Sequence, residues 1–165
     1  MAQSLNVVAE PQEISSGVKA PTTIAEALAD VLADTYMLTF KTHAYHWNVE
    51  GPLFYSIHNL TEGQYEDMFA AADELAERIR AVGQLAPMTM TDIRARAVIE
   101  DSVDSPTAGE MCETLAADHE RVAHRLHALV KIAGEKNDPV TEDLATERSA
   151  FHEQAAWMLK ALIAK

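Results

Sequence analysis

Apolar positions recur along this chain at intervals of three and four. Ile24, Leu28, Val31, Leu32, Thr35 and Leu38 step in this way through one stretch, and Leu115, Val122, Leu126, Leu129 and Val130 through another. Leu144, Phe151, Ala155, Met158 and Leu159 do so through a third. That spacing matches the 3.6-residue turn of an α-helix and leaves no room for the two-residue alternation of a half-buried strand. Glycine and proline separate the stretches cleanly. Residues 22–50, 110–133 and 140–165 contain neither, and only Gly63 interrupts Leu53 to Val82. The pattern predicts four long helices, with a short one near Thr91–Ala97 in the connection between the second and third. Four helices of 24–30 residues form an up-and-down bundle, with room for one long crossover.

Candidate helix ends follow the same chemistry. Thr22 or Thr23 is placed to cap the first helix, with Glu26 completing a capping box, and Gly51-Pro52 to end it. Gly83 and Pro87 close the second. Ser105-Pro106 reads as the start of the third, with Gly134 at its left-handed C-cap, and Asp138-Pro139 as the start of the fourth. Residues 1–21 are then a mixed polar arm, flexible or lying over a neighbour, and residues 22–165 a single helical domain.

Composition narrows the function. A chain of 165 residues buries enough apolar surface to fold without staples. The single cysteine, Cys112, excludes a disulfide framework and cysteine-rich zinc modules, and reads as a small buried hydrophobe in a reducing compartment. Thirteen Lys+Arg against 26 Asp+Glu leave a net charge of −13, which argues against phosphate-backbone binding and suits a protein that attracts cations. No segment reads as a membrane span or signal peptide, so the expected location is the cytoplasm.

The second long helix carries the most pointed chemistry. His58 and Glu62 are four residues apart and share a face, as do Asp73 and Glu77. Either pair could chelate iron, manganese or zinc, although a carboxylate pair at this spacing is most often a solvated face. His43 and His46 stand one turn apart just before the Gly51-Pro52 turn. His58 and Asp73 are separated by about 22 Å along the axis, too far for one metal, yet differ by only about 60° in azimuth. A two-fold axis near residue 67 or 68 would lay two such helices antiparallel and bring each His58/Glu62 to the Asp73/Glu77 of a second copy. No Glu-x-x-His occurs anywhere, which argues against a di-iron site inside one bundle.

The segment His43-Ala-Tyr-His-Trp-Asn-Val-Glu-Gly-Pro-Leu-Phe, then Ser-Ile-His-Asn-Leu-Thr-Glu62 and Ala-Asp73-Glu-Leu-Ala-Glu77-Arg, resembles the Dps family, the mini-ferritins. The family pattern is a His in a His-Trp-Asn context, a second His 12 residues on, a carboxylate four later, and Asp-x-x-x-Glu beginning 15 after the second His. His46, His58, Glu62, Asp73 and Glu77 fall in register with it, and the likeness runs over about residues 22–165. The resemblance implies a ferritin-like four-helix bundle assembled into a hollow dodecameric shell. Its ferroxidase centre at the two-fold dimer interface would be built from His46, His58 and Glu62 of one subunit with Asp73 and Glu77 of the other. Ferrous iron would be oxidised there, preferably by hydrogen peroxide, and ferric mineral stored inside; zinc at the same site is the other occupant it leaves open.

Some positions depart from the family. Glu62 stands where many members have Asp, and Asn59 and Gly63 where some carry acidic residues. His152 replaces a customary aliphatic residue, so it is either an extra ligand or a core histidine. Asp138 and Asp143 match pore-lining acidic residues of relatives, with a solvated helix start as the alternative. Trp47 reads as a radical-trapping electron donor or a packing residue. His119, His124 and His127, with Glu120, read as solvated. Two rival functions remain, a DNA-coating nucleoid protein and a zinc- or manganese-buffering helical protein without redox turnover. DNA coating is disfavoured because residues 1–21 hold only Glu10, Glu13 and Lys19, a net −1.

Overall fold

A computed structural model describes residues 5–102 and 105–164. It contains α1 (Pro21–Asn48), α2 (Phe54–Ala81), the short α3 (Met90–Arg96), α4 (Ala108–Glu135) and α5 (Pro139–Leu162), with no strand among the described residues. The four long helices have 28, 28, 28 and 24 residues. No helix among the described residues is long and apolar enough to cross a membrane.

The helix pairs α1/α2 and α4/α5 are antiparallel hairpins, and the crossover fixes how they join. Arg96 pairs with Glu26 near the start of α1 at 2.7 Å, while Tyr45 near its end hydrogen-bonds Ser102 at 3.0 Å. The connection therefore runs the length of α1, and α4 comes back antiparallel to it. Asp34 clamps the arrangement from the inside. Its buried carboxylate accepts from the Val98 backbone N–H and from Arg125, each at 2.7 Å. Burial pushes the Asp34 carboxyl upward in pKa, against the lowering effect of these hydrogen bonds.

The core follows the predicted stripes. Ile24, Leu28, Leu32, Leu38, Leu115, Val122, Leu126, Leu129 and Leu159 are fully or almost fully buried, each contributing about 1.5–3 kcal/mol of transfer free energy. Val130, Leu144 and Phe151 are half-buried against this core, and Met158 is 37% exposed, lying one position round from Leu159 and turned outward beside Trp157. Cys112 is buried within α4, and burial raises its thiol pKa.

Three helix ends differ from the expectation. Pro21 occupies the first position of α1 and Ala20 precedes it in a left-handed conformation (φ 48°), so neither Thr22 nor Thr23 is the cap. Thr107, two residues after Ser105, caps α4 in a full capping box with Glu110. Helix α4 also continues through Gly134; the left-handed turn residue is Asn137 (φ 59°). Asp138 caps α5 as expected, accepting from the Thr141 N–H. The amino-terminal segment lies against its own subunit: Gln12 N–H donates to Gly83 O and Lys19 N–H to Lys136 O, both at 2.8 Å. Gly83 has φ 88°, and a Cβ there would stand 2.0 Å from the Gln12 carbonyl oxygen, so only glycine permits this contact.

Candidate metal centre

The turn after α1 brings His46 and His58 together. Their rings stack at 3.7 Å between centroids with an interplanar angle of 19°. His46 Nδ1 is 2.9 Å from His58 O, and His58 Nδ1 is 2.9 Å from His46 O. A carbonyl oxygen only accepts, so each Nδ1 carries a proton, and each neutral ring is left with its lone pair on Nε2. This is the arrangement that prepares a histidine to ligate a metal, with the other nitrogen held by the backbone. Thr61 Oγ1, which donates to Ile57 O at 2.7 Å, sits 3.5 Å from His46 Nδ1.

The carboxylates are presented differently. Glu62, Asp73 and Glu77 are all exposed. Asp73 and Glu77 have no hydrogen-bond or ion-pair partner among the described residues. Helix α2 is unbroken from Phe54 to Ala81, so His58 and Asp73 stay about 22 Å apart along its axis. His46, His58 and Glu62 thus gather at one end of α2, while Asp73 and Glu77 stand near the other. Among the described residues no three His, Cys, Asp or Glu side chains converge in a metal-holding group within one subunit.

Aromatic side chains surround the histidine end. His43 stacks on Tyr65 at 4.0 Å and packs against Trp47 at 4.0 Å, and Phe54 stacks on His58 at 5.0 Å. Trp47 is 57% exposed despite this contact. Tyr65, which the sequence reading passed over, has its phenol pKa raised by burial and by the charges of Glu62 and Glu66. Its signal was its place one turn beyond Glu62 on the same face.

The remaining candidates separate. Asp138 is fully buried, and its carboxylate takes Arg78 at 2.7 Å together with the Thr141 N–H and hydroxyl. Burial opposes its ionisation, but Arg78 and Thr141 outweigh it and hold the pKa below the ordinary value. With these commitments Asp138 is a cap and ion-pair partner within its own subunit and not a solvent-facing pore carboxylate. Asp143 is exposed near the start of α5. His124 and His127 are exposed as expected, with His127 Nε2 2.8 Å from Glu153 and Glu120 paired with Lys160. His119 overturns the expectation of a solvated side chain. It is completely buried, with its Nδ1 2.8 Å from Nδ1 of the equally buried His152. Its position four after Leu115 and three before Val122 puts it on the buried stripe. His124 and His127 lie on other faces of the same helix. Burial, with the nearby Arg148, pushes the His119 pKa down to about 3; burial, His119 and Arg148 push His152 well below the usual range. His152 meets His119 on α4 rather than His46 or His58.

Residues 25–165 match the family described as Ferritin, the ferritin-like domain. The chain is 33% identical over 140 residues to DNA protection during starvation protein 2 of Bacillus anthracis, covering 85% of this chain and 96% of that one. Among solved structures, Dps from Thermosynechococcus elongatus superposes with a TM-score of 0.85 at 31% identity, covering 87% of this chain and 92% of that one. Dps from Vibrio cholerae O1, described as a member of a broad superfamily of ferritin-like diiron-carboxylate proteins, gives 0.85 at 26% identity, with coverage of 95% and 99%.

Proposed function

The chain belongs to the Dps family of ferritin-like proteins, and on that premise we propose that it is a ferroxidase and iron-storage mini-ferritin whose catalytic centres are each shared by two subunits. The observation that carries the reading is the reciprocal His46/His58 pair: two imidazoles with Nδ1 occupied and Nε2 lone pairs free, beside exposed Glu62. The unpartnered Asp73 and Glu77 complete the argument, since an antiparallel second copy of α2 carries them to the histidine end.

Iron is the substrate. Two imidazoles and three carboxylates hold ferrous ions while favouring the ferric state, because anionic oxygen donors stabilise the higher charge more strongly. Each ferrous ion gives up one electron, and two electrons with two protons convert one hydrogen peroxide to two waters. Peroxide is the preferred oxidant in this reading, and its removal together with ferrous iron protects DNA and the cell from oxidative damage. The net charge of −13 draws cations to the protein and suits storage of a ferric core inside a dodecameric shell in the cytoplasm. Asp143 is the carboxylate left to line an iron-entry pore. The same charge disfavours a DNA coat as the main activity.

Anaerobic loading with ferrous iron followed by peroxide or oxygen tests the proposal through absorbance of the ferric product. Faster oxidation by peroxide, with a soluble core, is expected. Ferrous iron that stays bound and unoxidised with both oxidants contradicts it and favours a metal buffer.

A further inference from the structure

Four polar atoms buried in the bundle have no hydrogen-bond partner among the described residues: Thr42 Oγ1, both Gln64 amide atoms and His119 Nε2. They come from three helices, and cross-helix contacts place them at one level. Lys41, beside Thr42, meets Asp118, beside His119, at 2.6 Å. Arg148, one turn before His152 on α5, meets Asp67, three residues after Gln64 on α2, at 2.5 Å. His46 meets His58 across α1 and α2. In this antiparallel register Thr42, Gln64, His119 and His152 fall within about one helical turn of each other along the bundle axis. All four side chains are buried.

Buried polar atoms are normally paired, so four orphans at one level point to a ligand that pairs them. Charge decides its class. None of the orphans is a carboxylate or any other anionic donor, so the cluster supplies no charge to offset a bound metal ion. The nearby cations Lys41 and Arg148 are already neutralised by Asp118 and Asp67, which leaves no free charge for an anion. Gln64 and Thr42 each offer a donor and an acceptor, and His119 offers one or the other according to which nitrogen of the His119/His152 pair holds the proton.

We propose that each subunit encloses a hydrated chamber, a binding site for ordered water built by Thr42, Gln64 and His119 and backed by His152. Thr42 is one turn before His46, and Gln64 one turn beyond Thr61, so the chamber lies behind the histidine pair. It is polar yet uncharged, and it offers ferrous iron no competing seat inside the bundle. The inference stands on buried side chains alone and is independent of the ferroxidase reading.

A high-resolution crystal structure of the full chain tests it. The expected result is water oxygen density within 3.5 Å of His119 Nε2 and of Gln64 or Thr42; an empty chamber overturns the proposal. Gln64→Leu and Thr42→Val should each lower the unfolding temperature by about 2–4 °C, because each strands the water's other partners. An unchanged or raised temperature in both means a dry cluster and contradicts it. Zinc is the probe for the metal alternative. In a His46→Ala/His58→Ala background, zinc that is retained through dialysis and lost on His119→Leu would overturn the water assignment; no His119-dependent retention supports it.

Discussion

His46 and His58 each donate the Nδ1 proton to the other's backbone carbonyl, at 2.9 Å in both directions. The α1–α2 turn and the ring orientations are therefore one structure, and the ligand nitrogens are set before any metal arrives. Asparagine can test this, because its amide N–H stands near the place of imidazole Nδ1 while nothing replaces Nε2. His58→Asn is expected to fold with a stability change within about 1 kcal/mol, the worth of a typical hydrogen bond, and to lose ferrous oxidation at least 100-fold. Thermal unfolding and stopped-flow absorbance check the two halves. Activity near wild type would remove His58 from the ligand set.

Acid should destabilise the fold through His119 and His152. Both pKa values are depressed in the folded protein, that of His119 to about 3. The unfolded chain binds these protons near pH 6.5 and the native state does not, so stability falls as pH drops below about 6.5, and the part due to His119 levels off near pH 3. For His119 alone the full loss is roughly 5 kcal/mol at the acid end, an order-of-magnitude figure. A His119→Leu/His152→Leu double variant should show a flatter acid limb in denaturant titrations between pH 7 and 4. An unchanged slope would mean that the pair takes up protons without cost.

The Asp34–Arg125 clamp should matter more than any surface ion pair. Arg125→Met leaves the fully buried Asp34 carboxylate with backbone N–H donors from Val98 and Ile99 but no charged partner, at a cost of about 3–5 kcal/mol. Adding Asp34→Asn should restore part of that loss in urea unfolding. Equal stabilities for the single and double variants would show that the crossover is held by packing alone.

Binding of DNA should be negligible at about 0.15 M salt, because a net charge of −13 offers few counterions to release. A gel shift with metal-free protein checks this. Retardation without metal contradicts it, and retardation only with divalent metal indicates bridging between acidic surface and phosphate.

The helical plan was legible because long Gly- and Pro-free stretches and three-four spacing depend on local chemistry. The histidine–carboxylate register was legible for the same reason, since His58/Glu62 and Asp73/Glu77 sit on one continuous helix. Helix ends were less so: Pro21 overrode the threonines after it, and the α4 cap fell on Thr107, which a reading centred on Ser105-Pro106 missed. Burial of charge was the hardest part. Asp138 is buried by an Arg78 some 60 residues earlier in the chain, and Lys41 by Asp118, and such partners become neighbours only when the bundle closes. His119 could have been placed from its phase against Leu115 and Val122; its pairing with His152 required the packing of α4 on α5.

The central claim is that every catalytic centre draws on two chains, and subunit complementation tests it most directly. One variant carries His46→Ala and His58→Ala, the other Asp73→Ala and Glu77→Ala; each alone should be inactive. In a mixed dimer one centre lacks all four groups and the other is intact, so random 1:1 co-assembly should restore about a quarter of wild-type ferrous oxidation. Separately assembled variants, mixed without subunit exchange, should restore none. Co-assembled protein that mass spectrometry shows to contain mixed dimers, yet that stays as inactive as its parents, would contradict the shared centre.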